Sequence, residues 1–329
     1  MLPLPWLAAP MRQALSQPGH ALLVLGAPGV GAFEFQHSLA QTWLCEAAAP
    51  GAAACGRCVS CHLVQAHSHP DLMLLLPEAQ RAERGWLAAP DADAEGAGKR
   101  KPSRQIRIGE VRAAVDWIVK TSSRGHAKVL LLHPAEAMNL HAASALLKTL
   151  EEPPAGARML LSCSDAERLL PTVRSRCQRL TLPPPTEADA VAWLAGQGVR
   201  DPAVLLAACA GRPLDVLAWH ARGVDAAAWA ALPRAVAAGH AAALAGWPLP
   251  QVIDALQKLC HDLMAVSAGA PARYFPAAGL PPARDASALM DWAAELNRVA
   301  RHADHPWQEA LLLESMVSQG QRALDTLAP

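Results

Sequence analysis

A glycine-rich segment near the amino terminus has the spacing of a phosphate-binding loop. Gly26, Gly29 and Gly31 stand in the run Gly-Ala-Pro-Gly-Val-Gly, directly after a short apolar stretch. In a working loop, backbone N–H groups cradle phosphate, a lysine after the last glycine reaches the β- and γ-phosphates, and the next hydroxyl holds Mg²⁺. Those two positions are Ala32 and Phe33, which can do neither. A plain glycine turn between strand and helix has the same appearance, so a second position must decide.

That second position is the end of a later apolar run, where an ATPase of this class carries acidic residues that hold the metal and orient water. Here the run 129–132 continues into His133 and Pro134, and the nearest carboxylate is Glu136. Two catalytic elements are therefore missing where they are expected. The sequence predicts a degenerate site that does not hydrolyse ATP, and nothing in the loop favours ATP binding.

Four of the eight cysteines fall within one short stretch: Cys45, Cys55, Cys58 and Cys61. Four thiolates around Zn²⁺ make a closed structural site with no open position for water. An iron–sulfur site is the alternative, but a ferredoxin-type run needs a further cysteine where Gln65 stands. His62, His67 or His69 could replace one sulfur ligand. The spacing favours structural zinc held by the four cysteines.

A third group able to do chemistry is a set of arginines at Arg174, Arg176 and Arg179. An arginine on the rim of an ATPase core can neutralise charge that develops on a γ-phosphoryl group held by a neighbouring subunit. A solvated basic turn is the alternative, and charge alone does not rank the three residues.

Charge and apolar patterning indicate which kinds of partner and which cellular compartment to expect. The 329 residues include 29 Lys+Arg and 29 Asp+Glu, so global charge predicts no attraction to nucleic acid. No apolar run reaches the roughly 18 residues that a membrane span needs. The amino terminus has no basic leader before an apolar core, as a signal peptide would have. We therefore expect a cytoplasmic protein without a membrane partner.

The elements that must position these groups alternate between strands and helices. Apolar runs at 20–25, 71–76, 128–132 and 158–162 predict buried strands, and helical patterns lie between them. This alternation predicts a parallel α/β sheet over about the first 180 residues.

Two segments interrupt or end this pattern. Residues 78–104 show no hydrophobic periodicity, which predicts a mobile surface loop. Its basic end, Lys99-Arg100-Lys101, could contact a phosphate backbone, but a solvated loop is the favoured interpretation. After the prolines 183–185 the strand signals stop. Helical units follow at 186–222 and from 226 onwards.

The segment 140–154 resembles the A-x-N-A-L-L-K-x-L-E-E-P-P signature of bacterial clamp-loader AAA+ proteins. Ser175-Arg176-Cys177 matches the Ser-Arg-Cys motif of that family, and the four-cysteine insertion after the phosphate loop matches as well. The order and spacing of these landmarks agree over at least residues 20–215. From pattern alone, 140–154 is an amphipathic helix that ends at two prolines.

The resemblance implies a three-domain chain. The first domain is an AAA+ core with a RecA-like parallel sheet at 1–183, carrying a zinc-binding insertion near 45–69 and the mobile loop near 78–104. A helical lid at 184–224 and a helical collar at 225–329 follow, and the collar joins the subunits of a ring.

Within the family, the resemblance implies the non-catalytic stator. The motor subunit keeps the loop lysine and the acidic pair, and the clamp-opening subunit lacks the zinc module and the Ser-Arg-Cys motif. The lid of the family carries a sensor arginine where this chain has Leu214, although Arg212 lies two positions earlier.

The implied chemistry is an arginine finger, Arg176, flanked by Ser175 and Cys177 and supplied in trans. The implied partners are the motor (gamma/tau) and delta subunits in a five-subunit ring, which loads the sliding clamp onto primed DNA.

Two other functions stay open at this level. One is an active AAA+ ATPase subunit of the same loader with an unconventional site, which steady turnover of Mg·ATP by the purified chain would reveal. The other is a zinc-dependent DNA-binding module, although the chain has few aromatic residues for base stacking.

Overall fold

A computed structural model describes residues 4–17, 19–49, 51–86, 102–282, 286–302, 305 and 307–324. The chain divides into two compact units, and the division lies between Pro184 and Pro185. This boundary falls within the three prolines where strand signals stop in the sequence. Proline lacks a backbone N–H and cannot continue a helix or a sheet ladder, which makes a run of three a natural end of the first unit.

The first unit is built on one parallel sheet of five strands. The strands are β1 (Ala21–Leu25), β2 (Leu72–Leu75), β3 (Lys128–Leu132), β4 (Ala157–Cys163) and β5 (Gln178–Thr181). Their order across the sheet is β2-β3-β4-β1-β5, and every neighbouring pair is parallel. The predicted α/β fold with a parallel sheet is therefore confirmed.

Strand β5 is the element of the sheet that the apolar runs did not predict. It lies at an edge, pairs only with β1, and buries only Leu180 of its four residues. By contrast, β3 is buried at all five positions. A central parallel strand is covered on both faces and reads as a continuous apolar run, whereas this edge strand carries exposed Gln178, Arg179 and Thr181.

Helices cover the sheet. They are α1 (Ala8–Ser16), α2 (Ala32–Leu44), α3 (Val59–Gln65), α4 (Glu78–Glu83), α5 (Ile108–Ile118), α6 (Leu140–Glu151) and α7 (Pro171–Arg174). The amphipathic pattern of 140–154 forms α6, with Leu146 and Leu150 buried, and the carboxamide of Asn139 accepts a hydrogen bond from the Ala142 N–H at its start.

Helix α4 shows that the start of the segment 78–104, for which no regular structure was predicted, is helical; the mobility of the segment remains a prediction. Its first residue, Glu78, accepts a hydrogen bond from the Ser103 N–H at 2.9 Å and pairs with Arg107 at 3.3 Å. These contacts are distant in sequence, which is why periodicity could not find the helix. The basic run Lys99-Arg100-Lys101 lies outside the described residues.

In the described part of the second unit, the regular secondary structure is helical and no strand is present. Its helices are α8 (Glu187–Gly196), α9 (Pro202–Ala208), α10 (Pro213–Ala221), α11 (Ala226–Ala237), α12 (Leu249–Ser267), α13 (Ala286–Arg301) and α14 (Glu309–Leu324). The predicted lid corresponds to α8–α10 and the predicted collar to α11–α14. Their division into two domains remains a prediction, because the helices form one compact unit here.

Among the described helices, no single one has the length and apolar character to cross a membrane. The short helices α9 and α10 reach that level only when taken together, as a pair bent by 107°.

The parallel sheet brings the predicted site positions to one edge. Because all five strands run in the same direction, their carboxyl ends meet at the same side. Gly26 follows β1, His133 follows β3, and Ser164 follows β4. The register confirms the proximity, since Leu25 pairs with Cys163 and Leu132 pairs with Leu161.

Candidate functional site

The glycine loop adopts a left-handed turn that leads directly into α2. Gly31 has a φ of +102° and caps the helix, and Gly29 has a φ of +74°. Both angles favour glycine, which has no Cβ to clash. A Cβ on Gly31 would also collide with the side chain of Leu4. The Trp6 indole donates a hydrogen bond to the Val30 carbonyl at 2.8 Å, so the amino-terminal segment lies directly against the loop.

An aromatic pair links the two positions where an active ATPase has its magnesium-binding groups. Phe33 stands where the loop hydroxyl would be and is 4% exposed, while His133 stands where the acidic residue would be. Their ring centroids are 5.5 Å apart. Trp86 also contacts Phe33, with a centroid distance of 5.6 Å. Apolar contact therefore fills a position that must be polar to ligate magnesium.

His133 is itself held as a neutral side chain. Burial, together with a smaller effect of the Arg84 charge, lowers its pKa to about 4. Its Nδ1 atom lies 2.6 Å from the Ser162 hydroxyl oxygen at the end of β4. An imidazole that is neutral at pH 7 and engaged with Ser162 supplies no negative charge to a metal ion.

The first turn of α2 carries its own anion. The Glu34 carboxylate lies beside Gly31, with Oε2 3.7 Å from the position a Gly31 Cβ would take. Burial raises the pKa of Glu34, while its own backbone N–H and the Arg84 guanidinium oppose this effect. The Arg84 guanidinium carbon lies 4.4 Å from the centroid of the Phe33 ring. A carboxylate at a helix amino terminus interacts favourably with the same N–H groups that bind phosphate.

Glu136, the carboxylate nearest to the missing acidic pair in sequence, is committed elsewhere. Its Oε1 atom accepts hydrogen bonds from both the N–H and the hydroxyl of Ser164, at 2.9 and 2.6 Å. These bonds tie the turn after β3 to the end of β4. Glu136 therefore has a structural partner at Oε1, whereas its buried Oε2 atom has no hydrogen-bond partner among the described residues.

The four cysteines converge although they come from separate segments. Cys45 follows α2, Cys55 lies in the loop, and Cys58 and Cys61 stand at the start of α3. All four Sγ atoms lie within 4.8 Å of one another; the Cys45–Cys58 distance is 3.9 Å and the Cys55–Cys61 distance is 4.0 Å. A tetrahedral Zn²⁺ site with Zn–S bonds of about 2.3 Å has sulfur–sulfur separations of about 3.8 Å. The geometry therefore fits the predicted ligand set.

Backbone N–H groups favour the thiolate at Cys55 and Cys58, whereas burial raises the pKa of Cys61 to about 12. The N–H groups of Arg57 and Cys58 lower the pKa of Cys55 to about 6. The Cys61 N–H also points at the Cys58 sulfur, at 3.4 Å. Hydrogen bonds from backbone N–H groups stabilise a charged sulfur, which is the form that binds metal.

The cysteine cluster is joined to the sheet domain by polar contacts. Arg124 pairs with Glu46, the residue after Cys45, and its Nε atom donates to the Ser60 hydroxyl at 3.1 Å. The loop that carries Arg124 is held by buried Asp71, which accepts hydrogen bonds from the N–H groups of Ser123 and Arg124 at 2.8 and 3.0 Å. The cluster thus anchors the ends of α2 and α3 to the loop before β3.

The structure distinguishes the three arginines that charge alone could not rank. Arg174 is tied to Glu167 and to the Ala166 carbonyl, and its side chain is only 16% exposed. Arg176 is 32% exposed and lies beside the end of α6, where it pairs with Glu151. Arg179 projects from the edge strand β5 and is exposed. Ser175 is exposed and Cys177 is buried in the core that packs on α6 and β4.

Comparisons with known proteins agree with this arrangement. The family model described as DNA polymerase III, delta subunit, matches residues 11–186. The delta' subunit of Escherichia coli is 33% identical over 257 residues, which are 73% of this chain and 70% of that protein. The chain belongs to the DNA polymerase III delta prime family. The family resemblance inferred from the sequence is therefore confirmed.

Other relatives extend the delta prime comparison. The Pseudomonas aeruginosa delta' subunit is 39% identical over 230 residues, 65% of this chain; the match spans 62% of that protein, less than two thirds of its length. The Salmonella typhimurium tau subunit is 30% identical over 163 residues, half of this chain and 21% of that protein. A solved DNA polymerase III gamma subunit-related protein from Thermotoga maritima is 14% identical, with a TM-score of 0.49, covering 96% of this chain and 98% of that one.

In this member of the delta prime family, sequence reasoning missed the residues that fill the loop. Arg84, Trp86 and Ser162 carry no motif, and only the fold brings them to Phe33 or His133. Glu34 follows Phe33 directly in the chain but also carries no motif. In the second unit, Leu214 is half-buried, and Arg212 pairs with Asp215 at 2.8 Å and donates to the Cys209 carbonyl at 3.0 Å. The assigned site roles of Arg176, the glycines and the cysteines remain predictions.

Proposed function

We propose that this chain is the non-catalytic stator of a DNA polymerase III clamp loader and supplies Arg176 in trans to the ATP site of a neighbouring motor subunit. The observation that carries the proposal is the contact between Phe33 and His133, 5.5 Å apart, at the two positions where an active site holds magnesium. With Ala32 and Phe33 in the loop and His133 after β3, the expected positions do not carry the lysine, hydroxyl and acid that bind magnesium and stabilise the charge of a transferring phosphoryl group.

In the proposed assembly, gamma/tau and delta subunits complete a five-subunit ring in the cytoplasm, and the sliding clamp and primed DNA are reached through the complex. The membership of tau and gamma subunits among the relatives supports this set of partners. Arg176 has the side chain best suited to act across an interface, because Arg174 is largely buried and bound within its own segment.

The cysteine cluster has a structural part in this proposal. Cys45, Cys55, Cys58 and Cys61 would hold one Zn²⁺ in a closed site, which supplies folding stability and no hydrolytic chemistry. Its contacts through Glu46 and Arg124 would stabilise the loop that precedes β3.

Two assays test the proposal. The purified chain incubated with Mg·ATP should release no phosphate above a protein-free blank. In a complex reconstituted with the motor and delta subunits of the same organism, Arg176→Ala should lower DNA-stimulated ATPase by roughly 10³–10⁵ at the site it serves, as loss of other arginine fingers does. Arg179→Ala, which removes an exposed arginine from the same segment, is the matched control and should leave the rate unchanged.

The outcomes separate the alternatives. Steady turnover by the isolated chain would favour an active ATPase with an unconventional site. Unchanged turnover in the Arg176→Ala complex, with normal assembly by gel filtration, would refute the finger assignment.

A further inference from the structure

The guanidinium group of Arg176 is held by contacts from two different elements. Its Nη1 atom donates to the Thr172 carbonyl at 2.9 Å and to the Ser175 hydroxyl at 3.3 Å. Its Nη2 atom pairs with the Glu151 carboxylate. Thr172 and Ser175 belong to the same short segment as the arginine. Glu151 is the last residue of α6, so it joins Arg176 to a separate, buried helix.

This difference in origin matters for positioning. A free arginine side chain samples many rotamers, and restricting them costs conformational entropy when a contact forms. Contacts within the segment 172–176 move with that segment and cannot orient it relative to the domain. Helix α6 is fixed by Leu146 and Leu150, which are buried at 0% and 1% exposure in the core beneath it. A contact to its last residue therefore orients Arg176 relative to the sheet domain.

The ion pair is suited to holding the arginine without sequestering it. The side chains of Arg176 and Glu151 are 32% and 48% exposed, so solvent screens their attraction. Glu151 engages Nη2, and Thr172 and Ser175 engage Nη1, yet the side chain keeps about a third of its surface exposed. A phosphate group of a neighbouring subunit can approach this exposed part and compete with the screened ion pair for the guanidinium, while Glu151 limits its rotation.

We infer that Glu151 is a positioning residue for Arg176, which orients the finger for the phosphate groups of the neighbouring subunit. This inference rests on the proposed function, because it assigns to Glu151 a part in the same trans site. It also gives Glu151, at the carboxyl-terminal end of α6, a role beyond helix packing. Glu151 does not touch the reacting phosphate; it acts through Arg176 alone.

The test compares four versions of this subunit in the full reconstituted complex: wild type, Glu151→Ala, Glu151→Gln and Glu152→Ala. Glu152 is the neighbouring exposed glutamate and serves as the matched control. We expect Glu151→Ala to lower kcat of DNA-stimulated ATPase by about threefold to fivefold, the range that a half-exposed ion pair can supply. KM for ATP should not change, because a finger acts on charge that develops in the transition state.

The conservative variant separates positioning from charge. Glu151→Gln keeps an oxygen that accepts a hydrogen bond from Nη2, so it should restore part of the rate that Glu151→Ala loses. In the Arg176→Ala background, Glu151→Ala should cause no further loss, because a positioning residue has nothing left to orient. A general structural defect would instead lower the rate in both backgrounds.

Two results would overturn the inference: Glu151→Ala turning over ATP as fast as wild type or faster, or a further loss on adding it to Arg176→Ala. Parallel measurement of Arg176→Ala keeps the two proposals distinct. A normal rate for Arg176→Ala refutes the finger itself, whereas an impaired Arg176→Ala with a normal Glu151→Ala refutes only the role of Glu151.

Discussion

Replacing Cys58 with serine tests the metal site at a residue that contacts the other three members of the cluster. Its sulfur lies 3.9 Å from that of Cys45 and accepts the Cys61 N–H at 3.4 Å. A serine hydroxyl stays protonated and is a poor ligand for Zn²⁺, so three thiolates would remain. The variant should therefore bind zinc more weakly, and the contacts that the metal supports should loosen.

The size of the effect follows from binding linkage. Loss of an outer-shell partner already weakens metal sites by about 10–100-fold, so loss of a ligand should cost at least the upper end of that range. At a fixed free zinc concentration above both dissociation constants, a 100-fold weaker site lowers the free energy of unfolding by ~2.7 kcal/mol. The loss should extend beyond the cluster, because Glu46 and Ser60 bind Arg124 in the loop before β3.

The measurements are zinc content by mass spectrometry and urea unfolding in a zinc buffer, both on the full chain. Wild type should contain about one zinc per chain, as a closed four-thiolate site requires. Cys209→Ser is the matched control: Cys209 is buried in the second unit, so this variant should keep its zinc. The reasoning fails if zinc-free wild type is as stable as the zinc-bound protein, or if Cys58→Ser retains both its zinc and its stability.

Two further predictions concern buried ionisable side chains in the first unit, Asp71 and His133. Asp71 is fully buried, and hydrogen bonds from Ser122, Ser123 and Arg124 hold its pKa below the usual range in spite of burial. Asp71→Asn leaves Lys128, 3.7 Å away, without its charged partner and should lower the free energy of unfolding in urea by about 3–5 kcal/mol. Asp116→Asn, at an exposed position, is the control and should leave the free energy of unfolding unchanged. Burial lowers the pKa of His133 to about 4, so between pH 6.5 and 4 the unfolded chain binds a proton that the native chain does not. The contribution of His133 to the free energy of unfolding should therefore fall by about 1.4 kcal/mol per pH unit as the pH drops through that window. His133→Gln should flatten this slope, and an unchanged slope would contradict the assignment of a buried neutral histidine.

The elements predictable from the sequence were the strands buried along their whole length and the helix with a regular amphipathic period. Strands β1, β3 and β4 are covered on both faces, so they appear in the sequence as continuous apolar runs, and α6 appears as an amphipathic period. Strand β5 and helix α4 were not predictable by these means. The first is an edge strand with one buried residue, and the second is held by contacts from Ser103 and Arg107, far along the chain.

The sequence by itself determined what the candidate site lacks and which atoms can bind metal. Ala32, Phe33 and His133 stand where a working magnesium site is expected to carry a lysine, a hydroxyl and an acid. The four cysteines likewise identify a ligand set by chemistry and spacing alone.

Tertiary structure decided which side chains contact the glycine loop and how each arginine of the segment 174–176 is held. Phe33 meets His133, and Glu34 lies near Arg84, because parallel strands bring their following loops to one edge of the sheet. Arg174 and Arg176 are chemically identical and two residues apart, yet one is bound to its own segment and the other pairs with the end of α6. Such differences depend on which distant elements pack nearby, and residue type and spacing do not encode that locally.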